Sequence, residues 1–240
     1  MQGILDRVAA QWHSDFHPQT TTEYLALRLA QKLGESEAAP HYLALIGQHG
    51  EERVVAAYRR ASTGLHQTNG IARSFHAALG HANGDDTSFR PDRLLAIKVE
   101  RRSVAIAFFI GTQLDYAQTH HLPSAWNKAG ASVSGFVSSM VGHLKVRSAA
   151  LEQLVLAHGN QRLIVNGIVE TVLTGYGLPL ATAEKTSLCA SYGHPAPNSR
   201  EEVRRTVHAI WPVLGPNVGI LDAAALGLYI QTERLFLREN

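Results

Sequence analysis

Two acidic residues interrupt apolar segments of the sequence, where a carboxylate is both buried and able to act chemically. Glu152 lies within the apolar segment 149–156, and Asp222 lies within 218–228. An acid in such surroundings needs a partner, because an unpaired charge is costly to bury. Carboxylates at the ends of strands and helices can converge on a hard divalent cation such as Mg²⁺ or Mn²⁺. Glu152 and Asp222 are therefore candidate metal ligands and candidate catalytic residues.

Composition sets the frame for these residues. The chain has 240 residues, of which 45% are hydrophobic and 18% charged, as in ordinary globular proteins. Its single cysteine, Cys189, excludes an internal disulfide and a thiolate zinc site, and a cytoplasmic location is expected. The sequence has no apolar run of about 18 residues, so no membrane span is predicted. The net charge is +2, and residues 91–240 carry the basic excess.

The first part of the chain predicts a small helical domain, residues 1–84. Thr20 and Gly34 supply start and stop signals for a first helix over 23–33. Three more helices are predicted over 40–46, 51–61 and 71–79. The polar, glycine-containing stretch 80–88 predicts a linker to a second domain, residues 91–240.

The second domain has the pattern of an α/β fold with a mixed sheet flanked by helices. Three strands form an antiparallel meander, and helices then alternate with two more strands. The predicted strands are 93–100, 103–110, 113–119, 149–156 and 178–183. The predicted helices are 124–144, 161–173, a helix from a capping box at Ser199 to 211, and 222–236.

Three short motifs in this order resemble the RNase H-like superfamily, and within it the RuvC-type Holliday-junction resolvases. Residues 97–102 (IKVERR) match the family's first-strand motif I-D-P-G-x-R, and 150–153 (ALEQ) match A-I-E-Q. Residues 222–227 (DAAALG) match the motif that opens the family's last helix. The resemblance implies two divalent cations held by acids, with Glu152 and Asp222 as ligands, for metal-assisted phosphodiester cleavage.

The chain departs from the family at two of the four acidic positions. Lys98 stands where the family has its central aspartate, and Gly219 stands where a further acid precedes the last one. Lys98 can pair with Glu152 and Asp222 and remove the need for metal. Alternatively, Glu100 supplies the missing ligand from the same strand face, or the motif register is misassigned. Asp222 can also be a plain helix cap, and Glu152 a glutamate paired with a basic neighbour.

Basic residues of the second domain are candidate contacts for the phosphates of a nucleic acid. They are Arg101, Arg102, Lys145, Arg147, Lys185, Arg200, Arg204 and Arg205. The alternative is that these side chains belong to solvated helix faces. Arg204 and Arg205 are adjacent on a helix, so at most one of them can point directly at a shared target.

The first functional hypothesis is a nucleic-acid-binding RNase H-fold protein with an impaired metal site and no metal cofactor, serving DNA processing, mobile-element or defence machinery. The second is an active divalent-metal endonuclease using Glu100, Glu152 and Asp222, with Lys98 positioning phosphate. An actin-like nucleotide-binding protein and a protein-binding adaptor are further alternatives, although no glycine-rich phosphate loop follows the first strand. The expected partners are DNA rather than RNA, a protein bound by the N-terminal helices and, by resemblance, a second copy, but no membrane.

Overall fold

The structure, a computed structural model, describes residues 16–62, 68–81, 92–154, 160–193 and 200–236. These residues divide into two compact units. The first contains the described residues up to 81 with the short segments 191–193 and 232–236, and the second contains the rest. The predicted linker lies mostly outside the described residues, so the domain boundary between 84 and 91 stays a prediction. None of the described helices is long and apolar enough to cross a membrane.

The described residues of the first unit form four α-helices, as the sequence predicts. They are α1 Thr21–Leu33, α2 Ala39–His49, α3 Glu51–Ser62 and α4 Thr68–His81, with a short 3₁₀ helix at Ser36–Ala38. Thr20 accepts a hydrogen bond from the Glu23 backbone, and the Glu23 side chain bonds back, which is the capping box that starts α1. Large buried side chains, Leu29, Tyr42 and Phe75 among them, fill the core of the unit.

The second unit is built on a five-stranded mixed sheet. Its strands are β1 Arg93–Val99, β2 Ser103–Ile110, β3 Gln113–His121, β4 Ser148–Glu152 and β5 Leu180–Ala183. The order is β3-β2-β1-β4-β5, with antiparallel pairing in the β1–β2–β3 meander and parallel pairing of β1 with β4 and of β4 with β5. The predicted α/β class is confirmed, and this order and these directions are those of the RNase H-like fold.

Helices follow the strands in chain order. They are α5 Trp126–His143, α6 Asn160–Gly175, α7 Lys185–Ser191, α8 Arg200–Ile210 and α9 Val218–Phe236, with a 3₁₀ helix at Pro212–Leu214. The sequence did not predict α7, because seven residues between a strand and a loop carry little periodicity. Strand β4 ends at Glu152, earlier than predicted.

The two faces of the sheet are covered by different helices, and this decides where Lys98 points. Alternate residues of β1, including Leu95 and Ile97, pack in one core with Val133 of α5 and Val169 of α6. Because side chains alternate along a strand, Lys98 lies on the opposite face. On that opposite face α9 lies close to the sheet, since a Cβ built at Gly227 would overlap the Phe109 ring.

The last helix begins earlier than the sequence predicts. It starts at Val218, where the Asn217 side chain accepts a hydrogen bond from the Ile220 backbone at 3.1 Å. Asn217 is therefore the capping residue, and the prediction that Asp222 opens the helix is wrong. Asp222 lies in the second turn and is buried, with 4% of its surface exposed, so the alternative that it is a plain helix cap fails as well.

Candidate active-site region

Lys98 and Glu152 meet at the carboxyl end of the central parallel strands. The register pairs Ile97 of β1 with Leu151 of β4, so the next residues, Lys98 and Glu152, are neighbours on the same face. Both are buried, with 3% and 4% of their surface exposed. The Lys98 ammonium forms a hydrogen-bonded ion pair with Glu152 Oε2, and its Nζ lies 3.7 Å from Asp222 Oδ2.

Two arginines of α8 complete an ion-pair cluster, which consists of Lys98, Glu152, Arg200, Arg204 and Asp222. Arg204 binds Asp222 through both carboxylate oxygens, at 2.8 Å from Nε and 3.1 Å from Nη2. Arg200 Nη2 donates to Glu152 Oε1 at 2.5 Å, and its Nε lies 3.6 Å from Asp222 Oδ2. Each oxygen of the two carboxylates therefore accepts a hydrogen bond from a cationic side chain.

The charge of Lys98 is finely balanced by its neighbours. Burial lowers the pKa of Lys98 to about 7, and the nearby charges of Arg200 and Arg162 act in the same direction. Asp222 and Glu100 act in the opposite direction and raise it. If Lys98 loses its proton, the two acids of the cluster still face two arginines, so the buried charges remain matched.

We expect the thermal stability of the protein to rise between pH 7 and pH 9. The folded lysine releases its proton near pH 7, whereas an unfolded lysine keeps it until about pH 10. In this window the unfolded state binds more protons, so the free energy of unfolding increases with pH and the gain is lost as the pH falls towards 7. Melting temperatures of the wild type and of Lys98→Met, compared across this range, test it. An equal pH slope in both proteins would show that another group is responsible.

The residues present do not fit a divalent cation. Mg²⁺ and Mn²⁺ take free oxygen ligands, whereas all four oxygens of Glu152 and Asp222 are engaged by cationic side chains. The Lys98 ammonium lies between the two acids. Within the described ranges no group of three or more His, Cys, Asp and Glu side chains is placed to hold a metal ion. These contacts agree with the first interpretation of Lys98, a salt bridge in the position of a metal site.

Glu100 lies close to this region but does not join the two acids. Its Oε2 accepts a hydrogen bond from Ser103 Oγ at 2.8 Å in the turn between β1 and β2. A Cβ built at Gly219 would lie 3.1 Å from Glu100 Oε2 and 3.0 Å from Ala105 Cβ. The Glu100 carboxylate thus occupies the space that a side chain at position 219 would need. Its predicted use as a third metal ligand receives no support from these contacts.

Arg162, which is not among the residues predicted from the sequence, reaches the same edge of the sheet. It lies in the first turn of α6 and donates from Nε and Nη2 to the Val99 carbonyl, at 3.2 and 2.9 Å. The Val99 carbonyl is next to Lys98 in the chain. A signal in the sequence was available. Arg162 lies at the start of the helix that follows the Glu152 strand, and such a helix begins at the edge of the sheet where its parallel strand ends.

The other predicted basic residues do not lie together. Arg101 and Arg102 are exposed in the turn after β1, at the edge of the cluster, and Lys185 begins the helix after β5. Lys145 and Arg147 precede β4 and are exposed at the opposite edge, where the Arg147 backbone bonds to Arg93. The length of a strand, about 20 Å, separates the two edges. A single phosphate track that includes all of them would have to run along this length, and their contact with nucleic acid stays a prediction.

The two adjacent arginines of α8 point in different directions. Arg204 faces Asp222 and also lies 3.5 Å from the Glu201 carboxylate. Arg205 is exposed. The prediction that at most one of them can face a shared target agrees with this arrangement, and the target of Arg204 is a carboxylate of the protein itself.

Solved structures of Holliday-junction resolvases are similar to this fold. A Thermus thermophilus RuvC structure is 16% identical, with 60% of this chain and 93% of that chain covered and a TM-score of 0.47. For T. thermophilus RuvC in complex with a Holliday junction substrate the identity is 13%, the coverage 60% and 94%, and the TM-score 0.49. The yeast mitochondrial Holliday-junction resolvase Ydc2 is 10% identical, with 76% of this chain and 93% of that chain covered and a TM-score of 0.46.

Likeness of this extent concerns the fold alone. No protein-family model matches the sequence, and no curated protein matches it. These three solved structures are Holliday-junction resolvases, the class of protein to which the three motifs of the chain are similar.

Proposed function

We propose that this protein binds nucleic acid through an RNase H-like domain and does not cleave it by metal-ion catalysis. One observation carries the proposal. Lys98, Arg200 and Arg204 occupy the oxygens of Glu152 and Asp222 that a divalent cation would need. Metal-assisted cleavage requires an ion that activates water or stabilises the leaving oxygen. Because the oxygens of Glu152 and Asp222 are engaged in ion pairs, they are not free to bind such an ion.

Positive charge at the edge of the cluster supports the nucleic-acid part of the proposal. Arg101 and Arg102 are exposed there, and the domain that contains them carries the basic excess of the chain, 14 Lys and Arg against 11 Asp and Glu over residues 91–240. Cationic side chains that reach phosphates supply most of the sequence-independent affinity of such proteins. DNA rather than RNA, a homodimer, a protein bound by the N-terminal helices, a cytoplasmic location and a role in DNA processing, mobile elements or defence stay predictions.

Binding without cleavage is the expected result for the purified protein. Labelled four-way junctions, duplexes and single strands of DNA and RNA are titrated for affinity and then incubated with Mg²⁺ or Mn²⁺ for cleavage. In the double variant Arg101→Gln/Arg102→Gln, log affinity should fall less steeply with log salt concentration. The magnitude of the slope should decrease by about 1–2, because each lost phosphate contact removes roughly one released counterion. Lys128→Gln, an exposed lysine of α5 that is not among the candidate contacts, is the control and should bind like the wild type.

Two results would count against the proposal. The binding function would be refuted if the protein bound none of these nucleic acids, or if its affinity for all of them were independent of salt concentration. Metal-dependent cutting by the wild type that Glu152→Gln abolishes would favour the active endonuclease instead.

A further inference from the structure

We propose that Arg162 and Arg200 hold a phosphate group at this edge of the sheet without the help of a divalent cation, an inference that rests on the proposed function. Arg162 lies in the first turn of α6, and Arg200 is the first residue of α8. Both arginines are half-buried. Each guanidinium is held by hydrogen bonds to the protein, and each residue keeps part of its surface in solvent.

The hydrogen bonds of the two guanidinium groups leave donors for an external acceptor. Arg162 uses Nε and Nη2 for the Val99 carbonyl. Arg200 uses Nη2 for Glu152 and directs Nε towards Asp222. Over the described residues, Nη1 of neither arginine takes part in a hydrogen bond within the protein. Phosphate oxygens are strong acceptors, and the planar guanidinium matches their geometry.

Repulsion between cations at this edge also favours a bound anion. The charge of Arg200 lowers the pKa of both Lys98 and Arg162, with burial as the larger cause for each. Lys98 and Arg200 bind the same Glu152 carboxylate, and Arg162 donates to the carbonyl of Val99 next to Lys98, so the three cations lie together. The acids Glu152 and Asp222 are already hydrogen-bonded. A phosphate at the free Nη1 groups would relieve this repulsion. A divalent cation would add to it, so phosphate binding here should not need one.

The test compares nucleic-acid affinity with and without metal. Anisotropy titrations of a labelled single strand and a labelled four-way junction are run in EDTA and in Mg²⁺ at matched ionic strength. The wild type should bind equally well in both. Arg162→Gln should raise Kd about tenfold and lower the salt slope by about one. Arg162→Lys keeps the charge but loses the planar guanidinium, so its Kd should fall between those of the wild type and Arg162→Gln. The control Lys128→Gln should match the wild type.

Different failures have different meanings. Wild-type affinity that disappears in EDTA, or Arg162→Gln that binds like the wild type, overturns this inference and leaves the proposed function standing. If the wild type binds no nucleic acid, the proposed function fails. The anion site is then tested by itself with inorganic phosphate and pyrophosphate. A rise in melting temperature with these anions that Arg162→Gln lacks would keep the anion site, and no rise would remove it. Melting curves first confirm that the variants fold, and Arg162→Lys replaces Arg162→Gln if the latter does not.

Discussion

Asp222→Ala should destabilise the protein by about 3–5 kcal/mol, because it breaks a buried ion pair from one side. The Asp222 carboxylate accepts both hydrogen bonds of Arg204 and lies 3.7 Å from the Lys98 ammonium. Without this carboxylate, Arg204 and Lys98 lose a partner at a buried position, since only 4% of the Asp222 surface is exposed. Urea unfolding followed by circular dichroism gives the change in the free energy of unfolding.

The control for this variant is an aspartate of the same domain that is exposed. Asp115 on β3 has no such surroundings, and Asp115→Ala should change the free energy of unfolding by less than about 0.5 kcal/mol. Asp222→Asn keeps the shape but removes the charge, so most of the loss should remain. If Asp222→Ala were as mild as Asp115→Ala, the acid would not be paired in solution and the ion-pair cluster would be wrong.

How far the sequence predicts this site depends on whether the residues lie on regular elements. Lys98 and Glu152 follow from strand alternation, since each interrupts an apolar strand and the two strands are adjacent and parallel in the fold that the motifs indicate. Asp222 follows from its motif in the last helix. The meeting of the three side chains, with the lysine between the acids, agrees with the interpretation made from these residues.

The partners of these residues could not be deduced in the same way. Arg200 and Arg204 appear in the sequence as two arginines of a polar helix, with Arg205 beside them, and nothing local distinguishes an arginine that faces a carboxylate from one that faces water. Their direction is set by how α8 packs through Val203 and Val207. Arg162 was missed for the same reason. Sequence spacing predicts which face of an element a residue occupies, but not which distant element covers that face.

The contacts around Lys98 also explain how Glu152 and Asp222 can be buried without a metal ion. A metal site that loses one carboxylate keeps the others buried without compensation, which is costly. Here Lys98, Arg200 and Arg204 supply positive charge in place of metal ions, and Gly219 leaves room for the Glu100 carboxylate. Lys98, Glu100 and Gly219 therefore form a consistent set with the arginines of α8, and a change of one of them alone should cost stability.

Lys98→Asp should make the stability of the protein depend on divalent metal, which the wild type should not show. The change removes the ammonium between Glu152 and Asp222 and puts a third carboxylate at the end of β1, where like charges repel. We expect a lower melting temperature in EDTA and a recovery of about 5–10 °C in Mn²⁺ at a hundred times its Kd, where binding contributes about 2.7 kcal/mol. Differential scanning fluorimetry with Mn²⁺, Mg²⁺ and EDTA measures it, and Lys98→Met, which removes the charge without adding a ligand, should not respond to metal. A wild type that Mn²⁺ stabilises as strongly as Lys98→Asp would mean that the acids bind metal despite the lysine, and the proposed metal-independent function would have to be abandoned.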